Sequence, residues 1–171
     1  DIAIFGKALG NGYAITAIIG RKEIMEEAQS TFISSTFWTE RIGPAAAIKT
    51  LEVMERLKAW EIITKIGNKI GIRWQKLGRK YDLKLNLGGL DALNNFTIKS
   101  NNWLKYKTLI TQKMVEEGIL ASNTIYACID HSDELIDEYF EKLELVFSLI
   151  SECEQGRDIN SLLLGNVSHS G

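Results

Sequence analysis

Apolar residues recur along this chain in two rhythms, and the change between them divides it. From residue 1 to about 42, short unbroken apolar runs, Ile2 to Phe5 and Ala14 to Ile19, each stop at a glycine, Gly6 or Gly20. Runs without alternation predict strands covered on both faces, as in an α/β sheet, although period alone does not separate strand from helix at this length. After Gly43 the spacing turns helical: Pro44 suits a first helical turn, and Ile48, Leu51, Met54 and Leu57 follow at helical intervals. Ile63, Ile66, Ile70, Trp74 and Leu77 then mark a second helix, with Gly78 as its stop.

Beyond residue 80 the two rhythms interleave. Leu83, Leu85 and Leu87 alternate with polar residues, as do Phe96 and Ile98, which predicts a strand pair on either side of Gly88-Gly89. Trp103, Tyr106, Ile110 and Met114 line one face of a helix that Asn101 or Asn102 caps and Gly118 ends. Ile125 to Ile129 reads as a strand. Ser132 then caps a last helix, with Asp133 and Glu134 in its first turn and a core face of Leu135, Ile136, Tyr139, Phe140, Leu143, Val146, Phe147 and Ile150. Residues 79–151 are thus expected to form a small α+β sandwich, helices on one face of an antiparallel sheet. Past Cys153 the periodicity lapses, and the tail is expected to need cover from elsewhere.

Composition narrows the possibilities without naming a function. The 171 residues suit one domain or slightly more, and a net charge of −2 gives no general attraction to nucleic acid or acidic membranes. No apolar run approaches a membrane span and no cationic start precedes one, so a cytoplasmic, unexported protein is expected. Cys128 and Cys153 stand apart from each other and from any ligand set, and read as buried free thiols rather than a disulfide or metal site. The chain opens at Asp1 inside an apolar segment, from which a piece of a longer protein is expected.

Two segments carry candidate chemistry. Lys7 lies just past the first apolar run, among Gly6, Gly10 and Gly12. A lysine held there and stripped of water is biased toward the neutral amine that attacks carbonyl carbon, although a lysine after a strand is also an ordinary solvated loop residue. Ser34-Ser35-Thr36-Phe37-Trp38-Thr39 leads into the helix after Gly43-Pro44, and its hydroxyls and amides are either phosphate donors or a simple capping turn. His131 reads as a capping or surface residue, His169 has no assigned role, and Trp60, Trp74 and Trp103 read as core or interface. Trp38 is placed to line an entrance, while Glu40 and Arg41 suit either a local ion pair or a substrate carboxylate.

Taken in order, these segments resemble the class III aminotransferases that use pyridoxal 5'-phosphate, a group that includes glutamate-1-semialdehyde aminomutase. The resemblance rests on Asp1-Ile2-Ala3-Ile4-Phe5, Lys7, Gly10-Asn11-Gly12, Tyr13-Ala14-Ile15, Thr36-Phe37 and Ala45-Ala46-Ala47, with His131-Ser132-Asp133-Glu134-Leu135-Ile136-Asp137 similar to the family's entry into its last helix. It implies the carboxyl-terminal part of a fold-type I transferase: residues 1–58 the end of the large α/β cofactor-binding domain with its linking helix, 59–155 the small α+β domain, 156–171 a tail.

The same resemblance implies roles. Lys7 holds pyridoxal phosphate as an internal aldimine and shuttles the proton of transamination, in which an amino group passes from an amino donor to a keto acid or aldehyde. Thr36, with Ser35 as a weaker candidate, donates to the cofactor phosphate across a homodimer interface, and no metal is required. The family's partner for the pyridine nitrogen, its stacking aromatic and its first phosphate loop lie upstream of the lysine, so this piece alone is expected to be inactive. Gly6 where the family commonly has Ser, Asn11 among the glycines, and Trp38-Thr39-Glu40-Arg41-Ile42-Gly43 in place of Gly-Asn-Pro are departures that bear on substrate more than on chemistry. The competing readings are a 2,1-aminomutase and a non-enzymatic α+β interaction module.

Overall fold

The computed structural model describes residues 1–167 and divides the chain into two compact units, 1–59 and 60–171. His169 lies outside the described residues.

In the first unit, β1 (Ile2–Phe5) and β2 (Ala17–Gly20) form an antiparallel ribbon that pairs Ile2 with Gly20 and Phe5 with Ala17. A 3-10 turn at Lys7–Leu9 follows β1 directly. Downstream come a short helix α1 (Lys22–Glu26), an open segment through residues 31–39, and α2 (Ile42–Leu57), which Lys58 ends in the left-handed conformation at φ 50°. The expectation that these strands are covered on both faces is corrected for this chain: Ile4 is 75% exposed and Ile19 58%. Their unalternating apolar sequence is two-sided, but the chain places its own residues on neither face in quantity.

The second unit holds α3 (Ala59–Lys80, which starts at the boundary), β3 (Leu85–Leu90), β4 (Leu93–Ile98), α4 (Trp103–Glu116), β5 (Thr124–Tyr126) and α5 (Asp133–Glu154). The sheet order is β3-β4-β5, antiparallel throughout. Alternation along β4 turns Asn94, Phe96 and Ile98 inward. Phe96 is the hub: its ring centroid lies 4.8 Å from Trp74 of α3, 5.8 Å from Phe147 of α5 and 6.2 Å from Trp103 of α4, so one strand residue ties the sheet to three helices. Burying an aromatic of this size contributes about 1.5–3 kcal/mol. Trp74 Nε1 in turn donates to Tyr139 Oη at 2.9 Å, which satisfies the one polar atom of a buried indole.

Several local expectations change. Gly78 does not stop α3, because the helix runs on to Lys80. A Cβ on Gly67 would stand 1.7 Å from the Asp91 carbonyl oxygen and one on Gly78 would stand 2.8 Å from Leu85 Cγ, so these helical glycines are where the β3–β4 hairpin presses on α3. The hairpin turns at Asp91-Ala92, not at Gly88-Gly89, which pair within the ladder with Asn95 and Asn94. Leu135 is 53% exposed rather than part of the core face, and Cys128 is exposed while Cys153 is buried, both free. The tail finds cover within its own unit: Ile159 is buried and Leu162 and Leu163 pack on the core, where Gln112 Nε2 donates to the Leu162 carbonyl. Ser132 caps α5 as expected, its Oγ accepting from the Leu135 amide at 3.3 Å.

Candidate functional site

Lys7 sits in the left-handed region at φ 46°, an unusual conformation for a residue with a Cβ and one that clusters at functional positions. It is held there by its neighbours. Gly6 leaves β1 fully extended, the Leu9 amide donates to the Gly6 carbonyl at 3.0 Å, and the Gly10 and Asn11 amides both donate to the Lys7 carbonyl at 3.2 Å. The Lys7 side chain is exposed, so the described residues do not strip it of water as the sequence led one to expect. Among the described residues it has no ion-pair partner.

The turn is pinned from behind. Gly10 is buried, and a Cβ there would lie 2.1 Å from the Tyr13 carbonyl oxygen and 2.8 Å from Ile15 Cγ2. At the start of α2 a Cβ on Gly43 would lie 2.6 Å from the Ala14 carbonyl oxygen and 3.2 Å from Ile15 Cβ. Ala14-Ile15 is therefore clasped between two glycines, one belonging to the Lys7 turn and the other to α2. Only residues without side chains permit that approach.

Thr36 opens a turn over residues 36–39, is exposed, and its hydroxyl has no hydrogen-bond partner among the described residues. Ser35 Oγ accepts from the Phe37 amide at 3.2 Å, which leaves its own proton available to donate. No hydrogen bond joins Lys7 to Ser35 or Thr36 among the described residues. Apolar side chains on the same segment stand in the open: Phe32 is 95% exposed and Trp38 69%.

Glu40 takes neither of the two roles that the sequence suggested, a local ion pair with Arg41 or a contact to a substrate carboxylate. Its carboxylate accepts from the Ile42 amide at 2.5 Å and the Gly43 amide at 2.9 Å, capping α2 from the residue before the N-cap. Those bonds, Gly43's the larger, hold its carboxyl below the usual range. An acid just ahead of an apolar helical run is the signal that could have found it.

His131 serves structure, its Nδ1 accepting from the Cys128 amide at 3.3 Å. The second unit also has a cavity of about 540 Å³ between Ile119–Ala121, Tyr126 and the first turns of α5, and neither Lys7, Ser35 nor Thr36 lines it. No group of three His, Cys, Asp or Glu among the described residues is arranged to hold a metal ion. No helix among them is long and apolar enough to cross a membrane.

Comparison with known proteins gives these features a context. A 3-aminobutyryl-CoA aminotransferase from Cloacimonas acidaminovorans is 33% identical over 140 residues, a stretch covering 78% of this chain and 34% of that protein. A glutamate-1-semialdehyde 2,1-aminomutase from Sulfurisphaera tokodaii is 29% identical over 167 residues, covering 88% of this chain and 40% of its own. In fold, the chain superposes on the FumI protein of Sphingopyxis sp. MTA144, solved in its PLP internal aldimine form, with a TM-score of 0.82 at 18% identity over 96% of this chain and 40% of that one. An S-selective transaminase from Arthrobacter sp. with alanine bound gives a TM-score of 0.76 at 21% identity, with 90% and 39% covered. The chain thus spans between about a third and two-fifths of the length of these relatives. The fold is that of part of a fold-type I transaminase, about two-fifths of its length. The family model for class III aminotransferases matches residues 1–147, and the chain belongs to that family.

Proposed function

We propose that this chain is the carboxyl-terminal part of a pyridoxal phosphate-dependent aminotransferase, moving an amino group between a small amino donor and a keto acid or aldehyde. In this reading residues 1–58 close the cofactor-binding domain, 59–155 form the small domain and 156–171 the tail. The observation that carries the reading is Lys7: in an aminotransferase chain, a lysine fixed at φ 46° on a glycine-hinged turn at the end of a strand. When bound, the cofactor supplies an electron sink for the pair left on the substrate carbon as its proton departs.

The residues present suit that group. Lys7 Nζ is a primary amine on a rigid backbone, able to bond covalently to an aldehyde and afterwards to carry a proton to and from the substrate carbon. The Thr36 hydroxyl, unengaged among the described residues, donates to phosphate, with the Ser35 proton beside it. The α2 amides at Ile42 and Gly43 are already taken by Glu40 and add nothing. The open apolar side chains around Thr36 suit a covered surface, which supports a homodimer in which Thr36 serves the partner's cofactor. Lys7 lacks cover in this chain, so the chain by itself is proposed to be inactive.

Turnover by the full-length polypeptide tests the reading. Product formation is expected to require both an amino donor and an added keto acid or aldehyde, and Lys7→Ala is expected to lower kcat by several orders of magnitude. The aminomutase-like relative favours a second reading, an intramolecular amino shift. Turnover of a single substrate without added acceptor would select it. Full activity in the Lys7→Ala variant would overturn the role of Lys7, and no turnover by the full-length wild type under either condition would leave the interaction module.

A further inference from the structure

We propose that Glu40 is a positioning residue for the cofactor phosphate: its carboxylate, by taking the free amides at the start of α2, locks the turn that presents Thr36 and closes the helix start itself to phosphate. The inference rests on the reading of Thr36 as a phosphate donor.

The donors at this helix start can be accounted for one by one. The Ile42 and Gly43 amides go to the two Glu40 carboxylate oxygens at 2.5 and 2.9 Å, Pro44 has none, and the Ala45 amide goes to the Arg41 carbonyl at 3.1 Å. A helix beginning is ordinarily a ready anion site. Here the anion is built in, and a phosphate approaching the same amides would have to displace a carboxylate and would be repelled by it.

The clamp also continues into the turn. The Glu40 amide donates to the Phe37 carbonyl at 3.3 Å, and the Phe37 amide donates to Ser35 Oγ at 3.2 Å, with Thr36 between the two. At the other end, Gly43 is pressed on Ala14-Ile15, and Ile15 is pressed on Gly10 of the Lys7 turn. Glu40 thus bonds the Thr36 turn through its amide and the α2 start through its carboxylate, and the α2 start is seated on the segment that supports Lys7.

The test compares pyridoxal phosphate with pyridoxal, which lacks the phosphate, by titration of the full-length polypeptide while amide exchange over residues 36–43 is followed. Glu40→Ala is expected to weaken pyridoxal phosphate binding about 10-fold, near the upper half of the range for losing a helix cap. Pyridoxal binding is expected to stay unchanged, and exchange at Ile42 and Gly43 to accelerate. Glu40→Gln, which keeps one acceptor oxygen, is expected to fall between. If the alanine variant fails to fold, the glutamine variant is read alone, by the same split between the two ligands.

Unchanged or tighter pyridoxal phosphate binding in Glu40→Ala would overturn the inference, tighter binding because the released amides would then be taking the phosphate. Equal weakening toward both ligands would also overturn it, since that marks a merely structural role. Thr36→Ala measured alongside separates the two levels. If it weakens pyridoxal phosphate binding while Glu40→Ala does not, only the Glu40 inference fails. If Thr36→Ala changes nothing, the phosphate reading fails and takes the inference with it.

Discussion

The two units of this chain solve opposite problems. The second, residues 60–171, encloses its own core: Ile70, Trp74, Phe96, Tyr106, Leu143 and Phe147 are essentially inaccessible to water. The first, residues 1–59, buries only Gly10, Gly43, Ala47 and Ala59 and leaves both faces of its strand pair open. Yet the residues proposed to carry chemistry, Lys7, Ser35 and Thr36, all lie in the first. Close packing supplies stability where no reaction is proposed, and the lysine proposed to react stands where the chain supplies order from hydrogen bonds and glycine contacts instead. The contrast teaches that the candidate site is held in shape locally, while the cover proposed for it lies outside this chain.

Breaking the core of the second unit should give the largest effect. Trp74→Ala removes a side chain with 0% exposure, its contact with Phe96 and the bond to Tyr139 Oη. A loss of about 3–5 kcal/mol is expected, read by chemical denaturation of the full-length polypeptide. Breaking the first unit should cost less stability and more function. Gly10→Ala puts a Cβ 2.1 Å from the Tyr13 carbonyl oxygen, so the backbone of the Lys7 turn has to move. About 1–3 kcal/mol of destabilisation is expected, with a disproportionate fall in kcat.

The smallest effect sharpens the contrast by pH. Tyr106, fully buried, donates to Glu154 Oε1 at 2.6 Å, and burial first, then that bond, pushes its phenol up to about 12. The neutral phenol is the form the fold favours. Its contribution is therefore complete below the unfolded value of about 10 and is lost as pH rises through the folded one. The denaturation midpoint is expected to fall over that alkaline window, and Tyr106→Phe is expected to flatten the fall.

What the sequence revealed follows the same division. The amphipathic stripes of α3, α4 and α5 and the alternation of β4 were readable because each element there packs one face against a core within the chain. Glycines were misread where they answer to distant residues. Gly88-Gly89 looks like a turn, but the ladder runs through it and the reversal falls at Asp91-Ala92. Gly78 looks like a stop, but it admits Leu83 and Leu85 against α3. In the first unit the lysine and its glycines were legible as a motif. The clasp of Ile15 between Gly10 and Gly43 was not, because it joins residues about thirty positions apart with no periodic signal. The capping role of Glu40 went unread for a related reason: the adjacent Arg41 suggested an ion pair, while the bonds Glu40 makes are to backbone amides two and three residues on.

Reduction of the full-length polypeptide with borohydride in the presence of pyridoxal phosphate, followed by peptide mapping, bears most directly on the central claim. A single pyridoxyl group on Lys7 is the predicted result. A label on another lysine, or none, would contradict the account.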